Sequence, residues 1–356
     1  MTYTCAIATP HALATAAASE AVADGGNALD AALAAAATLA VVYPHNTSVG
    51  GDLVALVRTP DGRVSCVNAS GPAQADADRA ADELIAADPG MREIFRPGGR
   101  PLTTGDTLRQ DALATTLAEL AAHGPATLYG GPLGARLSGV LGLDDLARFE
   151  VERTAPLSRA FRGHEVHTSP PNTHGFLLLQ ALGARGPLAA VFHRGIADRA
   201  AYLADPRFVP VDVDALLDPA RQDLPEPAPA VSGRASGDTV AVVTADSDGL
   251  AVSLIQSLFH GFGSGVLDPS TGVLLHNRGS FFSLDPASPN VIAPGKRPAH
   301  TLMPVMVTKG GLLTWVAGTM GGKAQPQILT QVLLRLFEGA GPADPRSDGS
   351  AVVVHM

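Results

Sequence analysis

Short apolar runs bounded by Gly, Pro, Asn or Asp predict strands along this chain. They fall at 3–9, 53–58, 64–68, 161–168, 240–245, 250–258, near 271–276, and at 302–307 and 312–317. Helical spacing occupies His11–Asp24, Ala28–Val42, Thr107–His123, a shorter stretch from Ala126, Gly175–Leu182 and Ala324–Phe337. Leu143-Asp144-Asp145-Leu146 opens one more short element. Asn27 stands where an N-cap belongs, with Asp30 in the first turn that follows. The helix Ala28–Val42 is apolar on nearly every side, which predicts burial all round. Thr59-Pro60-Asp61-Gly62 joins two strands in the manner of a hairpin. The stretch 74–90 is weakly patterned, and 205–237 is rich in Pro, Asp and Gly and reads as an exposed linker. Two antiparallel sheets between helical layers account for this order of elements.

Composition narrows the picture. A length of 356 residues allows about two domains or one large one. A net charge of -9, with no basic arm, argues against a nucleic-acid partner. The 2 cysteines, Cys5 and Cys66, sit in strand-like runs and make no disulfide framework. The 11 histidines are scattered without zinc-type spacing, so no metal and no other cofactor is expected. The apolar run 28–42 is too short to span a bilayer and carries Asp30, so no membrane partner is expected. The start, Met1–Pro10, has no basic segment before its apolar residues, which points to the cytoplasm.

The candidate chemistry centres on Gly237-Asp238-Thr239-Val240. A hydroxyl residue here heads a buried strand directly after the linker. A threonine at a strand start is ordinary in itself, because β propensity puts many there. Its surroundings are less ordinary. Downstream lie Phe262-Gly263-Ser264-Gly265, Pro294-Gly295-Lys296-Arg297-Pro298 and Gly318-Thr319-Met320-Gly321-Gly322. Upstream lie Gly25-Gly26-Asn27-Ala28-Leu29-Asp30, Pro44-His45 with Gly50-Gly51-Asp52, Leu113–Leu117, and Pro170-Pro171. In these motifs and their order the chain resembles the γ-glutamyltranspeptidase family, including its amidohydrolase and acylase members that do not act on glutathione.

That resemblance implies an α+β fold, the four-layer αββα sandwich of the N-terminal nucleophile hydrolases. It implies a processing site between Asp238 and Thr239, with the segments 1–238 and 239–356 staying together as one domain. Cleavage would free the α-amino group of Thr239. With a pKa near ~8, that amine can draw the proton from the residue's own hydroxyl. By resemblance, Gly321 and Gly322 supply backbone N–H groups to the oxyanion, and Ser257 orients the nucleophile. His300 and Thr301 stand where transpeptidases carry paired serines. The implied partners are a small-molecule amide and the two processed chains themselves, with a homo-oligomer left open.

Departures from the family pattern shape the substrate expected. No arginine follows the early hairpin, which reads Asn68-Ala69-Ser70-Gly71-Pro72. Phe259 and Phe281 occupy places that hold polar partners of the substrate ammonium in γ-glutamyl enzymes. An ammonium between two phenylalanines without a carboxylate is poorly solvated, and cation–π attraction returns only ~1–2 kcal/mol. Arg278 is new and can fork onto a carboxylate, or be a surface arginine in a turn. His260 is a further candidate for substrate contact, or a structural histidine. Together these point to a glutaryl- or oxamate-like amide rather than glutathione. The rival reading is a degenerate, non-catalytic member acting as a scaffold, because the regions after 80 and after Phe337 look shortened.

Overall fold

The computed structural model describes residues 4–71, 85, 87–103, 105–223, 238–341 and 351–355. The apolar runs become β1 (Cys5–Ala8), β2 (Asp52–Arg58), β3 (Val64–Asn68), β4 (Glu152–Thr154), β5 (Leu157–Phe161) and β6 (His164–Thr168). After the linker come β7 (Asp238–Asp246), β8 (Ala251–Phe259), β9 (Leu267–Asp268), β10 (Val273–Leu274), β11 (Val305–Lys309), β12 (Leu312–Thr319) and β13 (Ala351–His355). One sheet runs β1-β7-β8-β2-β3-β4 and the other β13-β12-β11-β6-β5, while β9 and β10 form a separate pair. Strands from before and after Thr239 interleave in the first sheet and adjoin at β11 and β6 in the second, within one αββα sandwich.

Side chains along β7 alternate in the period of two that a strand imposes. Ala241 and Val243 point between the sheets, where they meet Val54, Leu56, Ile255, Leu302, Met306 and Val316. Val240 and Val242 point the other way, onto two helices, α1 (Ala12–Ala23) and α2 (Ala28–Val42). The opposite sheet is covered by the helices Phe176–Leu182 and Gln325–Phe337, through Leu178, Leu329 and Leu333. Each Leu, Ile or Val fully buried this way contributes about 1.5–3 kcal/mol. β8 is buried at all 9 positions, as a strand sandwiched between a helix layer and a second sheet must be.

α2 begins as its sequence predicts. The Asn27 side chain accepts from the amides of Leu29 and Asp30, and the Asp30 carboxylate accepts from the Asn27 amide, a reciprocal cap. Asp246, at the end of β7, accepts from the Ala28 amide at 3.0 Å and ties the helix to the sheet. Burial all round is not found, however. Ala31, Ala32, Ala35, Ala36 and Leu39 face the sheet, while Leu33 is 54% exposed. The alanine stripe lets the helix lie close on one side, and composition alone hid that one-sidedness.

Other expectations change in detail. The strand expected over 161–168 starts instead at His164, because Phe161 ends the unanticipated β5 and a two-residue turn follows in which Arg162 (φ 49) and Gly163 (φ 77) are both left-handed. The helix expected from Thr107 starts at Asp111, and Gln110 instead donates to the Val41 carbonyl at 2.8 Å. The helix Leu188–Tyr202 and the strands β4 and β13 were not anticipated. Part of the expected linker is ordered as the helix Val213–Leu217. Residues 224–237, most of 74–90, and 342–350 lie outside the described residues. No helix among the described residues is long and apolar enough to cross a membrane.

Candidate active site

Antiparallel register sets the centre of the site. Thr239 pairs with Ser257, and Ser257 pairs in turn with Asp52 on β2. Directly paired residues share a face, and the alternation of β7 puts that face between the sheets. Three polar side chains therefore stand in a row at the end of an otherwise apolar core. Thr239 Oγ1 donates to Ser257 Oγ at 3.2 Å. Ser257 Oγ also accepts from the Phe259 amide at 2.9 Å.

A bulge creates that second contact. Asp238 pairs with Phe259 while Thr239 pairs with Ser257, which leaves Leu258 without an opposite residue. Phe259 takes up the extra length at φ 81, a left-handed conformation costing a side-chain-bearing residue on the order of 1–3 kcal/mol. The Asp238–Thr239 peptide is the first bond of β7.

β12 brings the glycine pair to the same end. A Cβ on Gly318 would come within 2.7 Å of Ile255 Cδ1 and 3.0 Å of Ala241 Cβ, so a bare backbone lets β12 press onto β7 and β8. Just beyond, Gly321 adopts φ 117, ψ 7. A Cβ there would meet Ile328 Cδ1 at 2.8 Å. Gly322 is left-handed too, at φ 50, and opens the turn into the helix Gln325–Phe337.

Beside Ser257 lies a buried cluster of charge that the sequence did not reveal. Asp52 is fully buried, and its Oδ1 accepts from the Gly71 amide at 3.0 Å. Its Oδ2 lies 3.0 Å from His300 Nε2, 3.5 Å from Arg278 Nε and 3.7 Å from His276 Nδ1. The amides of Thr301 and Leu302 both donate to His300 Nδ1, at 3.1 and 3.2 Å. Nδ1 is thereby the bare nitrogen, and the proton of the neutral ring sits on Nε2, toward the carboxylate. Burial depresses His300 to about 4, with the charge of Arg278 adding to it and Asp52 opposing. For Asp52, burial raises the carboxyl, but His276, His300 and Arg278 outweigh it and hold it well below the usual range. Burial lowers Arg278 to about 10 against the pull of Asp52, which leaves it charged at neutral pH.

Arg278 is therefore not the open fork that its place in a turn suggested. It is fully buried, faces Asp52, and donates from Nη1 to Thr301 Oγ1 at 3.3 Å. Its guanidinium lies 3.9 Å from the ring centroid of Phe259 and 5.8 Å from that of Phe281. The two phenylalanines thus flank a cation of the chain itself. His260 is half-buried with its ring 4.1 Å from Phe259. All the expected residues except the Asp238 side chain, which lies outside the description, have a place around this end of the sandwich. Asp52, His276 and Lys323 were missed. A carboxylate at the head of the apolar run Leu53–Val57 was the available signal for the first.

An αββα sandwich with a hydroxyl row at the start of a central strand defines an N-terminal nucleophile hydrolase. The family model described as Gamma-glutamyltranspeptidase matches residues 14–82 and 73–344. The chain is 32% identical to the Glutathione hydrolase-like YwrD proenzyme of Bacillus subtilis, covering 93% of this chain and 81% of that protein. It is also 32% identical to the Oxamate amidohydrolase proenzyme of Klebsiella pneumoniae, covering 92% and 80%. Among solved structures, the cephalosporin acylase from Bacillus halodurans superposes with a TM-score of 0.82 at 27% identity, covering 96% of this chain and 83% of that one. The chain belongs to the γ-glutamyltranspeptidase family.

Proposed function

We propose that the chain is a self-processing threonine amidohydrolase that hydrolyses a small amide bearing a free carboxylate, glutaryl- or oxamate-like, rather than glutathione. The observation that carries this reading is the buried row Thr239, Ser257 and Asp52, with Thr239 Oγ1 bonded to Ser257 Oγ. In the uncut chain Thr239 Oγ1 attacks the carbonyl carbon of Asp238. The C–N bond breaks as the acyl group moves to oxygen, and water hydrolyses the resulting ester. Asp238 leaves as a carboxylate, and the Thr239 nitrogen becomes a free amine.

That amine then serves as base for the second reaction. It takes the Oγ1 proton while Ser257 holds the hydroxyl in line, and Oγ1 attacks the substrate carbonyl. Negative charge on the carbonyl oxygen is met by the amides of Gly321 and Gly322, each worth ~3 kcal/mol at a preorganised site. The amine returns its proton to the leaving amine, and water releases the acyl group as a free acid.

Support for the substrate class comes from charge. Phe259 and Phe281 flank Arg278, already matched by Asp52, so their rings present no acceptor to the ammonium of a γ-glutamyl group. The segment after the hairpin, Asn68 to Gly71, is occupied with its own bonds: Ser70 Oγ donates to Asn68 Oδ1 at 2.7 Å. Among the relatives, the names oxamate amidohydrolase and acylase support an amide substrate other than glutathione, while another is named glutathione hydrolase-like. Steady-state kinetics with glutaryl and γ-glutamyl anilides tests the reading. The glutaryl compound is expected to turn over faster; equal or faster turnover of the γ-glutamyl compound would overturn the assignment.

A further inference from the structure

Arg278 is already matched by Asp52, so a substrate carboxylate needs another cation. Two are at hand in a groove beside the glycine pair. Arg199, on the helix Leu188–Tyr202, and Lys323, the residue after Gly322, line it together with Leu177, Phe192, Ile196 and Gln327. Among the described residues neither cation has a carboxylate within ion-pair distance. Lys323 Nζ instead lies 5.1 Å from the ring centroid of Phe281, the same ring that flanks Arg278. Phe281 therefore stands next to both Lys323 and Arg278, and Lys323 directly follows the glycine pair.

Electrostatics agree with that placement. Burial lowers the lysine's pKa and the charge of Arg199 lowers it further, so the two cations sense one another. His174, fully buried with neither ring nitrogen hydrogen-bonded, is driven well below its ordinary value by burial, then by Arg199 and His300. A chain of net charge -9 thus gathers positive charge at one place. Like charges left unmatched in a small groove suit an anionic group such as a carboxylate.

We infer that Arg199 and Lys323 form the seat for the carboxylate of the substrate's acyl group. This rests on the amidohydrolase reading above. It makes the acid preference a property of the Leu188–Tyr202 helix and of the residue after the glycine pair, not of Arg278.

The test compares glutaryl and pentanoyl anilides, nearly equal in length and different in charge. The measured quantity is the glutaryl-over-pentanoyl ratio of kcat/KM, in wild type, Lys323→Gln, Arg199→Gln and Arg278→Lys. Loss of a charge-assisted contact should cut that ratio roughly ten- to hundredfold in the first two variants, mostly through KM. Lys323→Glu should lower it further. Lys323 is exposed, so its replacement leaves the packing intact. A ratio unchanged in Lys323→Gln and Arg199→Gln, or lost only in Arg278→Lys, overturns the inference while the amidohydrolase reading stands. A wild type that hydrolyses neither anilide defeats that reading instead. Glutarate binding measured by calorimetry then decides the seat: binding that Lys323→Glu abolishes supports it, and no binding to wild type overturns it.

Discussion

His300 should make this fold sensitive to mild acid. The unfolded chain protonates a histidine near 6.5, whereas the buried ring does so only at about 4. Between those values the unfolded state binds the proton and the folded state does not, so stability falls as pH falls. Each unit of difference is 1.36 kcal/mol, which gives about 3 kcal/mol once both limits are passed and about 2 kcal/mol by pH ~5. His174 is displaced in the same direction and adds to the loss. Asp52 does not contribute in this window. Its carboxyl is held low, so its contribution is complete above the unfolded value near ~4 and is lost only below that. The assay is urea unfolding of the Thr239→Ala chain from pH 7.5 to 5, in a background that stays in one piece. His300→Asn keeps an acceptor for the Thr301 amide and should flatten part of the slope. A midpoint unchanged across this range in the parent would refute the idea of a neutral, buried His300.

Asp52→Asn leaves Arg278 as an uncompensated buried cation and should cost about 3–5 kcal/mol in urea unfolding, with Asp52→Asn/Arg278→Met recovering part of it. A cost under ~1 kcal/mol would mean that water reaches the pair. Gly318→Ala must move Ile255 or part the sheets at Ala241, and should lower stability by about 1–3 kcal/mol by thermal melting. An unchanged melting temperature would show that the end of β12 is looser than its contacts with β7 and β8 require.

The candidate residues could be named from the sequence because local chemistry and the family's motifs coincide. Thr239 heads an apolar β-branched run after a linker, and Gly321-Gly322 is a turn that only glycine adopts readily. The strand runs and helical stretches fit two sheets between helical layers, and the resemblance to the γ-glutamyltranspeptidase family supplied the αββα sandwich. What stayed hidden depends on contacts between residues far apart in the chain. Arg278 in a Gly-flanked turn reads as open, and only the pairing of β2 with β8 brings Asp52 beneath it. The groove holding Arg199 and Lys323 joins a helix at 188–202, whose Arg, His and Gly residues blur its period, to a lysine more than a hundred residues later. The one-sided burial of α2 was missed for a different reason. Alanine counts as apolar on every face, yet only the face bearing Ala31, Ala35 and Leu39 meets the sheet.

The central claim is that Thr239 is a nucleophile first toward its own chain. Intact-protein mass measurement with N-terminal sequencing tests it directly. Wild type should yield two fragments, 1–238 and 239–356, the second beginning at Thr239, while Thr239→Ala should remain one chain of 356 residues. A wild-type chain that stays whole yet hydrolyses amides, or a Thr239→Ala chain cut at the same bond, would contradict the account.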